Sequence, residues 1–87
     1  MRLVFTMSAW NDYLWFRAHD KRLLKRLNQL IRDFLRSPFE GVGKPVPLKG
    51  ELSGYWSRRI DEQHRLVYSA TGAEVVVVAC RYHYDRE

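Results

Sequence analysis

The chain has little that would staple it, span a membrane or break its elements. It has one cysteine, Cys80, in 87 residues, so no internal disulfide can form. Its longest apolar run, Val75 to Cys80, is far below the roughly 20 residues of a membrane span. The opening MRLVFTMSAW lacks an apolar stretch of signal-peptide length. Together these point to a protein of the reducing cytoplasm, with no membrane partner. All three prolines and four of the five glycines fall between positions 38 and 54; outside that stretch only Gly72 interrupts. The three histidines, His19, His64 and His83, are scattered, with no cysteine or carboxylate at ligand spacing. No metal site and no cofactor are expected.

Acidic residues are also in short supply. Ten Asp and Glu face fifteen Lys and Arg, a formal charge of +5. A basic domain of this size suits nucleic acid, an anionic membrane or an acidic partner. The absence of a long apolar segment weakens the membrane option. The length allows a single unit, residues 1–87, with a thin core and no deep cavity.

Residues 2–5 (RLVF) are β-prone. Ser8 is a candidate N-cap for a first helix over about 8–19, carrying Ala9, Trp10, Tyr13 and Leu14 at helical spacing. Asp20 then caps a second helix, about 20–36. Its apolar positions Leu23, Leu24, Leu27, Leu30, Ile31, Phe34 and Leu35 repeat every 3.6 residues. Lys21, Arg22, Lys25, Arg26, Arg32 and Arg36 lie off that stripe, with Asp33 alone to offset them. This is either a solvated face or a ridge that follows phosphates. Ser37-Pro38 stops the helix. In the loop, Pro45 and Pro47 hold the chain extended, and Leu48 is the expected start of a short edge strand. Three strands follow as an antiparallel meander over about 55–84: Tyr55 to Ile60, His64 to Ala70, and Val75 to about Tyr84. A strand, two helices and a run of strands make an α+β fold, with the helices on one sheet face.

Alternation assigns the faces. Trp56 and Ile60 should pack under the helices, with Arg58 oddly among them, beside His64, Leu66, Tyr68 and Ala70. The opposite face then holds Tyr55, Ser57 and Arg59 on one strand, and Arg65, Val67 and Ser69 on the next. A three-residue turn, Asp61 to Gln63, sets Arg59 directly across from Arg65. Like charges in such a pair destabilise a hairpin. An anion held between them would turn the repulsion into binding, since guanidinium forks fit phosphate oxygens. Alternatively each arginine pairs with a carboxylate, with Asp61, Glu62 and Glu51 as candidates. An odd-length turn at Gly72 would bring Arg81 and His83 to the same face and leave Val76, Val78 and Tyr82 for the core. An even turn would bring Cys80, Tyr82 and Tyr84 there instead. The odd turn is the expectation. His64 and Cys80 read as structural or core residues, and Trp10, Trp15 and Trp56 as core or dimer contacts.

Four blocks, SPFEGVGKP (37–45), PLKGELSGYWSRRI (47–60), HRLVY (64–68) and RYHY (81–84), resemble in order and spacing the Txe/YoeB toxins of the RelE-like toxin–antitoxin group. The resemblance spans essentially the whole chain. It implies a microbial-ribonuclease-like α+β fold. It also implies a ribosome-dependent endoribonuclease that cuts messenger RNA and so inhibits translation. The implied partners are the ribosome and its message, a cognate antitoxin with an acidic flexible tail, and a second copy in a homodimer. Operator DNA would be met only through the antitoxin. The implied chemistry is metal-free attack of a ribose 2′-hydroxyl on the adjacent phosphate. By resemblance Lys49, Arg59 and Arg65 are the phosphate-binding cations, with Arg65 in the catalytic set. His83 is the general acid, and Tyr84 holds the RNA.

The chain departs from that pattern at two points. Val46 stands where the family has the glutamate that serves as general base, and valine takes no proton. His83 and Glu51 are the nearest substitutes in sequence. Asp85, Arg86 and Glu87 extend past the family's usual His-Tyr ending. The reading that follows is a toxin enzyme with reduced activity. The alternative is a non-cleaving toxin-like module that binds the ribosome or the antitoxin. A DNA-binding repressor subunit is disfavoured, because the second helix is too apolar on one side.

Overall fold

The computed structural model describes residues 1–82. In chain order the elements are β1 (Arg2–Phe5), α1 (Met7–His19), α2 (Lys21–Arg36), β2 (Val46–Pro47), a 3₁₀ turn (Gly50–Leu52), β3 (Trp56–Arg59), β4 (Arg65–Ala70) and β5 (Glu74–Ala79). The strands form one sheet in the order β1-β5-β4-β3-β2. All neighbours are antiparallel except β1, which runs parallel to β5. Both helices pack on one face of this sheet, an α+β arrangement.

Helix α1 starts two residues earlier than a Ser8 cap would allow. The Thr6 hydroxyl accepts the Ala9 N–H at 3.1 Å and caps the helix, while Ser8 sits exposed in the first turn. Asp20 caps α2 as expected, accepting the Leu23 N–H at 3.1 Å. The apolar stripe of α2 buries Leu23, Leu27, Leu30, Ile31 and Phe34 against the sheet. Trp15 and Trp56 pack on the edge of the core. Trp10 stays 42% exposed and stacks on Tyr13. No helix among the described residues is long and apolar enough to cross a membrane. The edge strand β2 ends at Pro47, one residue short of Leu48.

The meander corrects the expectation for the last strand. Thr71 N–H bonds to Glu74 O at 2.9 Å, so the turn is even. The side chains delivered to the core are Val75 and Val77, not Val76 and Val78. The register then slips by one residue between Val67 and Tyr68, which pair with Ala79 and Val77. Val78 is the extra residue of this bulge. A bulge of one residue inverts the facing of everything after it, so Cys80 enters the core. The strand ends at Ala79 rather than near Tyr84. Tyr82, expected in the core, is 47% exposed.

Cys80 is fully buried, with its thiol donating to Ala9 O at 3.5 Å. Burial pushes that thiol up to about 12. At neutral pH it stays protonated, and the thiolate is the nucleophile. Alkylation of the native protein should therefore proceed no faster than global opening, and should become fast in denaturant. Rapid native labelling at pH 7.5, followed by mass spectrometry, would contradict this packing.

Candidate functional site

The candidate site lies on the sheet face away from the helices. Arg59 and Arg65 are directly opposite each other across β3 and β4. Ile60 N–H donates to His64 O at 3.0 Å, which makes the next pair, Arg59 and Arg65, a non-hydrogen-bonded one. Cα atoms in such pairs are only about 4.5 Å apart. Among the described residues neither arginine is in an ion pair. Of the acids considered from sequence, Asp61 is committed elsewhere. Its carboxylate accepts the N–H groups of Gln63 and His64 at 2.9 and 2.8 Å and shapes the hairpin turn. Arg26 braces the same hairpin from α2, donating to the carbonyls of Ile60 and Arg59 at 3.4 Å each.

Val46 is on this face too. It pairs with Ser57, which pairs in turn with Val67, so a row of Val46, Ser57 and Val67 lies beside the arginine row. Val46 is 46% exposed, whereas Ser57 and Val67 are buried. The face is thus open at its rim and closed at its middle, not bare throughout. Lys49 is exposed at the start of the 3₁₀ turn, beyond the end of β2. The described residues form no enclosed pocket.

Arg81 does not join Arg59 and Arg65. Its guanidinium lies 3.9 Å from the centre of the Trp15 ring on α1, a stacking that pulls it to the helix side. Asp12 lies on that side as well. Burial raises its carboxyl, although the Cys80 N–H and Arg81 pull the other way. Tyr82 is pinned from both ends: its N–H donates to His64 Nδ1 at 2.8 Å, and its carbonyl accepts the Arg65 N–H at 3.1 Å. The ring of buried His64 is held edge-on against Phe16. His64 is therefore structural, as read from sequence, and its proton sits on Nε2 because Nδ1 accepts. His83, Tyr84 and the Asp85–Glu87 tail lie outside the described residues.

Arg58 explains its odd place on the core face. It is fully buried, and all five of its N–H groups have acceptors. Nε donates to the Tyr68 hydroxyl at 2.9 Å, and Nη1 donates to Asp33 at 2.6 Å and to Val42 O at 3.0 Å. Nη2 donates to Ser37 O at 2.5 Å and Glu40 O at 3.0 Å. The Tyr68 hydroxyl continues the network to Pro38 O at 2.6 Å. Asp33 also accepts the Val42 N–H at 3.0 Å, and these bonds to Arg58 and Val42 hold its carboxyl below the usual range. Gly41 has φ +115°, and a Cβ there would strike the Asp33 carboxylate. The loop that delivers Val46 is thus clamped by one guanidinium. Sequence reading found the misplaced charge but not this clamp. A lone acid, Asp33, on the same helix as the apolar stripe was the available clue.

Comparison with known proteins agrees with this architecture. Residues 5–84 match the family described as the YoeB-like toxin of bacterial type II toxin–antitoxin systems. The chain belongs to the YoeB toxin family. It is 55% identical to Toxin YoeB of Synechocystis over 99% of this chain and 100% of that protein. A solved YoeB/ParE toxin from Agrobacterium tumefaciens superposes with a TM-score of 0.93 at 49% identity, covering 97% of this chain and 100% of that one. The YoeB toxin of Staphylococcus aureus, 40% identical over 97% of this chain and 98% of its own, has been solved as a dimer, TM-score 0.89, and in a heterotetrameric YoeB–YefM toxin–antitoxin complex, TM-score 0.88. As a YoeB-family member the chain is a toxin of a toxin–antitoxin system.

Proposed function

We propose that this YoeB-family chain is a ribosome-dependent messenger-RNA endoribonuclease whose activity is reduced by Val46. The observation that carries the reading is the Arg59–Arg65 pair, side by side on a helix-free face without ion-pair partners among the described residues. Two unneutralised guanidinium groups at this spacing suit a phosphate whose charge grows as the reaction proceeds. The 2′-hydroxyl oxygen attacks phosphorus while its proton passes to solvent water, since Val46 offers no base, and the bond from phosphorus to the 5′-oxygen breaks. The products are a 2′,3′-cyclic phosphate and a 5′-hydroxyl. Arg65 stabilises the pentacoordinate charge, and Arg59 and Lys49 bind the phosphate. His83 gives its proton to the departing 5′-oxygen, and Tyr84 holds the RNA. The roles of His83 and Tyr84 are taken from the family pattern. No step needs a metal.

Partners follow from the same reading: the ribosome and its message, and a cognate antitoxin, as in the S. aureus YoeB–YefM complex. The S. aureus dimer supports a homodimer here. Met1, Leu3, Met7 and Trp10 are exposed apolar side chains, of the kind that a second copy covers. Operator DNA is met through the antitoxin, and the setting is the cytoplasm. The specific observation favouring the second reading, a non-cleaving module, is Val46 itself.

The test is a purified translation reaction with a reporter message and mapped cut ends. This chain should cut slowly within translated codons, and Arg65→Ala and His83→Ala should abolish the cuts. A chain that stalls ribosomes while leaving the message whole would establish the binding module instead.

A further inference from the structure

Ser57 is 1% exposed, yet its Oγ has no hydrogen-bond partner among the described residues. A hydroxyl stripped of water without a partner is a net cost to folding. Its neighbours explain the orphaning. Directly across the strands on either side are Val46 and Val67, whose side chains neither donate nor accept. Val67 is 2% exposed in the middle of the sheet, whereas Val46 is 46% exposed on the edge strand. Only the Val46 side has room for a polar group.

The spacing suits one. Leu48 N–H donates to Tyr55 O at 2.9 Å, so Val46 and Ser57, two residues along in the same register, are also a hydrogen-bonded pair. Their Cα atoms are then about 5.5 Å apart, a gap that a glutamate side chain crosses. We propose that Ser57 is a positioning residue: its hydroxyl is set to hold a carboxylate at position 46 on the arginine face, and Val46 leaves it idle. One carboxylate oxygen accepts the Ser57 O–H. The other stays free toward Arg59, the diagonal neighbour on β3. A base fixed in this way need not be ordered at each turnover. The catalytic part of the proposal rests on the reading of this face as a cutting site; the hydrogen bond itself does not. The rival anchor is Arg59, which could draw the carboxylate away from Ser57.

The experiment is a double-mutant cycle over this chain, Ser57→Ala, Val46→Glu and Val46→Glu/Ser57→Ala. The thermal unfolding midpoint is read for all four, and the pH profile of cutting for the two glutamate chains. In the present chain Ser57→Ala should leave the midpoint unchanged or raise it, since it removes an unpaired hydroxyl. In the Val46→Glu chain it should lower the midpoint. It should also slow cutting on the order of tenfold, and move the acid limb of the profile to higher pH, because the lost bond favoured the ionised carboxylate. Val46→Gln, whose carbonyl accepts the same bond without charge, should show the same midpoint coupling, and it serves if the glutamate chain does not fold. Equal midpoint changes from Ser57→Ala on all backgrounds overturn the proposal. Coupled midpoints with no cutting by any chain uphold the Ser57 contact and defeat the cutting-site reading. Cutting by Val46→Glu that ignores Ser57→Ala does the reverse and points to Arg59.

Discussion

Replacing Arg58 with methionine should lower the unfolding free energy by about 3–5 kcal/mol, the usual cost of removing one partner from a buried ion pair. Domains typically have only about 5–15 kcal/mol in total, so the variant should stand near its limit. The cost has two sources. Asp33, only 13% exposed in its side chain, loses its main counter-ion, and the carbonyls of Ser37, Glu40 and Val42 lose their donor. Arg58→Lys should recover part of the loss, since an ammonium keeps the charge but offers three donors rather than five. Urea midpoints for the three proteins decide the matter, and equal midpoints would mean that the clamp carries no energy. The pH dependence gives a second check. The folded Asp33 carboxyl is depressed by Arg58, so its contribution is complete above the ordinary aspartate value of about 3.9. It is lost as pH falls below that, through the folded value. In Arg58→Met this part of the acid limb should flatten.

Val46→Glu should raise the rate of message cutting by on the order of 10²- to 10⁴-fold, the range spanned by a positioned general base. The backbone of β2 is already paired with β3 at this position. The side chain is exposed at the rim, so the new carboxylate need not be buried. It would stand one row from two guanidinium groups, which keep it ionised and ready to accept the 2′-hydroxyl proton. Single-turnover cutting on programmed ribosomes gives the comparison. Equal rates for the two chains would remove Val46 as the cause of reduced activity.

Much of this is legible in the sequence. The period of α2, the Asp20 cap and the Arg59–Arg65 pairing each follow from local rules, because helix and hairpin geometry depend on nearby residues alone. The third strand was misread because its start is apolar on both sides, so alternation offered no vote on the parity of the Gly72 turn. The Val78 bulge is also silent in sequence, since no glycine or other local motif marks it. The facing of Arg81 was then decided by Trp15, some sixty-five residues earlier. At the site, the arginines and Val46 share a face, whereas the roles of Ser57 and Arg58 depend on contacts across strands and with α2. His83 and Tyr84 rest on the family pattern alone.

The parallel pairing of β1 with β5 joins residues 2–5 to residues 74–77. Most of the chain must be synthesised before its first strand has anywhere to dock, and contacts so distant along the sequence form late. Products that terminate early should therefore emerge without a finished sheet and be harmless to the cell that makes them. Only near-complete translation yields the full five-stranded sheet.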